Sequence, residues 1–246
     1  MGLTGKHVVI TGAVGAIGSS VARALAADGA RVSLLDVADG KLKVLAAEIG
    51  ACAHAVTVDL ATEQAIIEAV ASVIQYRGTV DVLVNNAGIL SNNKIDTMTM
   101  EEWRRVNAIN VESALLLSKA FLPGMRERKW GRIINVSSYA AKSGGLTAGT
   151  AYSVSKSAMI GLTFSIARET AHQGITANAV APAYVMSPMV SEQLTEEQRQ
   201  KQRSQIPVGR FCEPEEVAHT IRFLASPLAG FITGEVIDMN GGLHFD

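Results

Sequence analysis

Short β-branched runs alternate with longer stretches whose apolar residues return every three or four positions, from one end of the chain to the other. Runs at residues 7–10 (HVVI), 31–35 (RVSLL), 53–58, 80–84 (VDVLV), 132–136 (RIINV), 175–180 and 235–239 predict seven strands. Between them, helical periodicity predicts helices over 17–27, 41–49, 62–75, 100–128, 152–171 and 214–225. Such alternation, sustained over residues 1–246, requires parallel strands joined by right-handed crossovers. The expected architecture is α/β: one domain built on a doubly wound, seven-stranded parallel sheet with helices on both faces. A run such as VDVLV is apolar at nearly every position, as a strand covered on both faces must be.

The least regular stretch, 186–210, carries the polar run SEQLTEEQRQKQRSQ between Pro188 and Pro207. It leaves the carboxyl edge of the sixth predicted strand, beyond which open α/β sheets bind their ligands. A substrate lid is the expectation there, and a solvated surface helix is the plain alternative.

Composition narrows the function classes. The formal net charge is −1, so no electrostatic pull toward nucleic acid or an anionic membrane is expected. No apolar run approaches the roughly 18 residues of a membrane span, and the N-terminus lacks a secretory pattern, so a cytoplasmic protein is expected. Cys52 and Cys212 stand far apart, and the five histidines (His7, His54, His172, His219, His244) show no ligand spacing, so no metal is expected. Asn135-Val136-Ser137 matches a glycosylation acceptor but ends an apolar strand. Counting glycine and omitting tyrosine, roughly 55 % of residues are apolar, above the 45–50 % or so of ordinary domains. An apolar excess without a membrane span leans toward surface hidden in an oligomer.

Three motifs carry chemistry. The first strand runs into Thr11-Gly12-Ala13-Val14-Gly15-Ala16-Ile17-Gly18 and then a helix, the arrangement in which glycines let a backbone approach a pyrophosphate at a helix N-terminus. Asp36 ends the second strand, where an acid accepts hydrogen bonds from the adenosine ribose and repels a 2′-phosphate. With Val37 next and no Arg or Lys in the glycine turn, nothing positive is expected nearby, which favours NAD over NADP. Tyr152 and Lys156, four residues apart, share one helix face. A tyrosine with a pKa near 10 is a poor base at neutral pH, and a nearby ammonium stabilises its phenolate.

Together with Asp59-Leu60, Asn85-Asn86-Ala87-Gly88, Asn110, Ser138, Pro182-Ala183 and Gly241-Gly242, these motifs follow one another in the order of the classical short-chain dehydrogenase/reductase family, which the chain resembles over essentially its whole length. The resemblance implies a Rossmann fold and a hydride transfer between a nicotinamide and a secondary alcohol or ketone. It implies that Tyr152 is the general acid/base, that Lys156 lowers its pKa and binds the nicotinamide ribose, and that Ser138 holds the substrate oxygen. Asn110 would hold a water linking Lys156 to solvent. Gly12, Gly15, Ile17, Gly18 and Asp36 would bind the cofactor's adenosine and pyrophosphate side. Asp59 and Leu60 would lie at the adenine, Asn86, Ala87 and Gly88 would line the cofactor, and Pro182, Ala183 and Val185 would cover the nicotinamide. A homotetramer is implied as well, with Met159, Leu162 and residues 115–117 on the packing faces.

Three departures from the family's pattern stand out. Ala16 replaces a glycine, with Gly15 displaced. Ala183 replaces the usual glycine after Pro182, restricting the backbone there. The Ser138–Tyr152 gap is one residue longer than usual, and the extra residue falls in the loop KSGGLTAGT, where a substrate pocket is shaped. The pocket-forming stretches 91–97, 139–150 and 186–210 hold no cluster of Arg or Lys, which points to a neutral substrate. The leading expectation is an NAD-dependent secondary-alcohol dehydrogenase. Its rivals are a 3-oxoacyl thioester reductase, a sugar or polyol dehydrogenase, and a catalytically silent NAD-binding scaffold.

Overall fold

The computed structural model describes residues 2–187 and 195–245. Its seven strands are β1 (His7–Thr11), β2 (Arg31–Asp36), β3 (Ala53–Thr57), β4 (Val82–Asn85), β5 (Gly131–Val136), β6 (Ile175–Pro182) and β7 (Val236–Met239). They form one parallel sheet in the order β3-β2-β1-β4-β5-β6-β7, the doubly wound arrangement expected from the alternation.

Consecutive side chains of a strand point to opposite faces, so a doubly covered sheet needs two separate cores. Val8, Ile10, Val32, Leu34, Val82 and Val84 face one layer, packed by α1 (Ala16–Ala27), α2 (Asp39–Ile49) and α9 (Pro214–Ala225). Their neighbours Val9, Leu35, Leu83 and Ile133 face the other, packed by α3 (Glu63–Arg77), α5 (Ser113–Glu127) and α7 (Thr150–Thr170).

The predicted 100–128 helix is two helices. α4 (Met100–Asn107) joins α5 through a π-helical turn, Ala108–Glu112, in which the Ser113 N–H reaches back five residues to the Ala108 carbonyl. A short helix α6 (Ala140–Ser143) follows β5, where no element is predicted. Within the proposed lid, residues 188–194 lie outside the described residues. The remainder holds α8 (Glu196–Arg203), an exposed polar helix opened by a capping box between Thr195 and Gln198. Its TEEQ signature was present in the sequence. Beyond it the chain is tied back to the sheet edge, with Val208 N–H donating to the Gly241 carbonyl (3.1 Å) and Met186 N–H to the Cys212 carbonyl (2.8 Å).

At the amino ends of the strands sits a buried polar cluster. His7 donates its backbone N–H to Asp81 Oδ2 (2.8 Å), its Nδ1 lies 3.2 Å from the Gly78 carbonyl, and its Nε2 lies 2.8 Å from Ser33 Oγ. A carbonyl only accepts, so Nδ1 carries the proton and Nε2 accepts from the hydroxyl. Burial holds this imidazole down at about 4. Asn135 of the glycosylation-like triplet is fully buried between Asn85 and Thr163, at 2.8 Å from each.

Candidate active site

The carboxyl ends of β1 and β4 are joined by a set of short contacts. Thr11 Oγ1 accepts from the N–H groups of Asn86 and Ala87 (3.0 Å each), while Asn86 Nδ2 donates to the carbonyls of Thr11 (2.9 Å) and Gly12 (3.0 Å). Gly12 has φ +62°, and a Cβ there would stand 2.9 Å from Ala87 Cα. One on Gly18 would stand 2.1 Å from the Gly12 carbonyl oxygen. Glycine is therefore required at both positions, one for the turn and one for helix-to-strand packing. Gly15, by contrast, has an ordinary φ of −67° and caps α1 without a side chain. No acidic residue occupies the first turn of α1, so its open N–H groups form a site for an anion.

These elements wall a cleft of about 680 Å³, large enough for a nucleotide cofactor. Of the expected cofactor residues, Gly12, Gly15, Ile17, Asp36, Asn86, Ala87, Gly88, Tyr152, Lys156, Pro182 and Val185 line it. Gly18 supports it from behind. Asp59 and Leu60 are not among its lining: Asp59 is exposed and accepts from the Ala61 N–H (3.0 Å), and Leu60 is buried in the second core. Ala183 lines a neighbouring pocket instead, and the left-handed residue beside it is Tyr184, at φ +48°.

The Asp36 carboxylate is held in place by two backbone donors, Val14 N–H to Oδ2 (3.1 Å) and Ala38 N–H to Oδ1 (3.0 Å). The expectation that nothing positive lies near it needs correction, because Lys41 lines the same cleft. Five residues beyond Asp36, Lys41 sits in the first turn of α2.

Where the cleft ends, a side pocket of about 150 Å³ begins, and Leu90, Ser138, Tyr152 and Tyr184 line both. Ser138 follows β5, accepts from the Ala140 N–H that opens α6 (3.1 Å), and is hydrogen-bonded to the Tyr152 hydroxyl. Its neighbour Ser137 is buried and spent on the Lys156 carbonyl (2.8 Å), which leaves Ser138, of the two, as the one lining the side pocket. Lys156 is buried, with Nζ 2.8 Å from the Val136 carbonyl and 5.7 Å from the centre of the Tyr152 ring. Burial lowers its pKa to about 8. The expected downward pull of Lys156 on the Tyr152 phenol does not dominate here: burial raises the phenol, and the hydrogen bond from Ser138 opposes that.

Asn110 lies in the π-helical turn, behind Gly88 rather than on the cleft wall. Its two amide protons go to the Ile89 carbonyl (3.1 Å) and Ser155 Oγ (3.0 Å), and its Oδ1 accepts from the Ile89 N–H (2.8 Å). One lone pair of Oδ1 is left for a water. A Cβ on Gly88 would lie 3.2 Å from Lys156 Nζ and 3.3 Å from Asn110 Oδ1, so a larger residue there would crowd both.

The side pocket is otherwise lined by Tyr139, Ala140, Ser143, Gly145, Leu146, Thr147, Ala148 and Ala183. Among the described residues no charged side chain lines it; Lys142 nearby is paired with Asp238 at 2.5 Å. Among the described residues, no group of three or more His, Cys, Asp or Glu is placed to hold a metal, and no helix is long and apolar enough to cross a membrane.

Known proteins resemble the chain over nearly its whole length. The family described as enoyl-(acyl carrier protein) reductase matches residues 12–244. The 3-oxoacyl-[acyl-carrier-protein] reductase of Aquifex aeolicus is 38 % identical over 245 residues, covering 98 % of each chain. The proteins of that name from Vibrio cholerae and Escherichia coli are 38 % and 37 % identical, covering 99 % of each chain.

Proposed function

The chain belongs to the short-chain dehydrogenase/reductase family, oxidoreductases that work with a nicotinamide cofactor, and on that premise we propose that it interconverts a secondary alcohol and a ketone with NAD(H). The observation that carries this reading is the meeting of Ser138, Tyr152 and Lys156 where a nucleotide-sized cleft opens into a small uncharged pocket. The open N-terminus of α1 and the close-packed Gly12 and Gly18 suit a pyrophosphate. The fixed Asp36 carboxylate suits ribose hydroxyls. When bound, the nicotinamide supplies the hydride donor or acceptor.

The rest is done by the chain's own side chains. Ser138 donates a hydrogen bond to the substrate oxygen and fixes its distance from Tyr152. In the reducing direction Tyr152 gives its phenolic proton to the oxygen that gains negative charge; in the oxidising direction the phenolate takes the proton from the alcohol. Lys156 lies close enough to favour the phenolate, and a water on Asn110 Oδ1 would return protons from solvent. Because burial raises the phenol, alcohol oxidation should accelerate as pH rises and ketone reduction should slow.

NAD is favoured because a 2′-phosphate would stand against a carboxylate that two backbone bonds keep from turning away. Lys41 would attract that phosphate, so both nucleotides have to be compared. The test is nicotinamide absorbance with purified protein, NAD(H) against NADP(H), over sugars, polyols, cyclic alcohols and an acetoacetyl thioester. At least a tenfold higher kcat/KM with NAD(H) on a neutral alcohol or ketone is expected. NADPH-linked reduction of the thioester alone would replace this reading with a second one, a 3-oxoacyl thioester reductase, which the shared name of the relatives favours. Binding of NADH without any turnover would leave only a nucleotide-binding scaffold.

A homotetramer is proposed from exposed apolar side chains. Met159 and Leu117 cannot serve as contacts, since both are buried against the chain's own sheet. Leu115, Val154 and Phe164 on α5 and α7 are exposed, as are Leu228, Phe231 and Phe245 elsewhere. Exposed apolar side chains of this size support association with further copies, and a monomeric mass by light scattering would refute it.

A further inference from the structure

The loop that roofs the side pocket is held by one ammonium group. Lys94, in the segment between β4 and α4, places Nζ 2.6 Å from the Gly145 carbonyl oxygen, 2.6 Å from that of Ala148 and 3.5 Å from that of Leu146. An ammonium has three protons, and three carbonyls of a single loop face it. Among the described residues no carboxylate pairs with Lys94, so its charge is directed at the loop alone.

The loop needs such a support. Gly144 and Gly145 are both left-handed, at φ +69° and +78°, which turns the chain sharply and leaves its carbonyls on one side. Between residues 145 and 148 the hydrogen bonds to Lys94 are the ones that tie the loop to the rest of the described chain. Only at its far end does the backbone take over, with Gly149 N–H donating to the Ser91 carbonyl (2.7 Å) and Thr150 N–H to the Asn93 carbonyl (3.0 Å). Ser91 and Asn93 are in turn bonded to Glu102 of α4. Gly145, Leu146, Thr147 and Ala148 all line the pocket that contains Ser138 and Tyr152.

We infer that Lys94 is a positioning residue that sets the shape of the substrate pocket by clasping the 145–148 loop. It touches neither the nucleotide cleft nor the proton-transfer groups, so it acts on substrate recognition alone. The inference rests on the reading of the side pocket as the substrate pocket of an alcohol/ketone oxidoreductase.

Lys94→Met keeps the length and the apolar stem while removing the three donors, and Lys94→Arg returns donors to the same place. Each is compared with the wild type on the best alcohol or ketone of the panel above, alongside NADH affinity by fluorescence and thermolysin cleavage at the exposed Leu146, mapped by mass. In Lys94→Met, KM for the substrate should rise about tenfold with kcat changed less than threefold and NADH affinity changed less than twofold. Cleavage before Leu146 should be at least fivefold faster. Lys94→Arg should recover most of both effects. An unchanged KM despite faster cleavage would overturn the role in recognition, and unchanged cleavage would overturn the clasp itself. A wild-type protein that turns over none of the panel would instead refute the proposed function, with the cleavage rates still deciding the clasp.

Discussion

Two buried polar clusters sit at opposite ends of the same strands, and each holds a titratable group far from its ordinary range. At the amino ends, burial brings His7 down to about 4; at the carboxyl ends, burial brings Lys156 down to about 8 and pushes Tyr152 up. Their surroundings differ. Both ring nitrogens of His7 are committed, one to Gly78 and one to Ser33, and no pocket described above reaches it. Tyr152 and Lys156 open onto a cleft of about 680 Å³ and retain hydrogen-bonding capacity toward it. A displaced pKa therefore marks burial in both places, and only the open space and the unspent donors and acceptors mark chemistry.

Three substitutions press on that contrast. The largest effect is expected for Tyr152→Phe, which removes the proposed proton carrier and little else: kcat/KM should fall about 10³-fold, within the range for a positioned acid/base, while NADH binding persists. Retained turnover would mean that another group carries the proton.

His7→Leu should leave activity intact and lower unfolding stability by about 2–3 kcal/mol, since Ser33 and Gly78 each lose a buried partner. The native imidazole refuses a proton that the unfolded one accepts near 6.5. Wild-type stability should therefore be lost as pH falls from 6.5 through about 4, and the variant should lack that slope. Denaturant titrations at several pH values read both effects.

Lys156→Met should lower kcat/KM about 10²-fold and yet stabilise the fold at neutral pH by about 1–3 kcal/mol, because an ammonium is no longer forced into the interior. Burial holds the native Lys156 at about 8, below the ordinary lysine value of 10.5. The wild type should lose stability as pH falls from 10.5 through about 8, and the difference between the two proteins should level off below that. A destabilised variant would show that the bond to the Val136 carbonyl outweighs the desolvation of the charge.

Much of this was legible in the sequence, and the exceptions have physical reasons. Strand identity followed from apolar runs that local patterning fixes; Gly12 and Gly18 are needed by backbone geometry, and their spacing announced it. Asn110, Ser138, Tyr152 and Lys156 were visible as residue types in a known order. The π-helical turn carrying Asn110 was not, because a reach of five residues instead of four has no local signature. Lys41 escaped notice because its relation to Asp36 depends on where α2 begins. Lys94 escaped because its partners are backbone carbonyls about 50 residues away, and carbonyls have no sequence identity. The burial of Met159 and Leu117 was likewise a matter of which helix face meets the sheet.

The strand order has a further consequence in time. Thr11 and Asn86 meet across 75 residues, so both lips of the nucleotide cleft exist once β4 has been made. Ser138, Tyr152 and Lys156 arrive later, and Pro182 and Val185 close the wall last. At ordinary elongation rates the interval between Gly88 and Val185 is about 5–20 s. During synthesis, therefore, the residues of the cleft's first wall are all made well before the serine, tyrosine and lysine that face them.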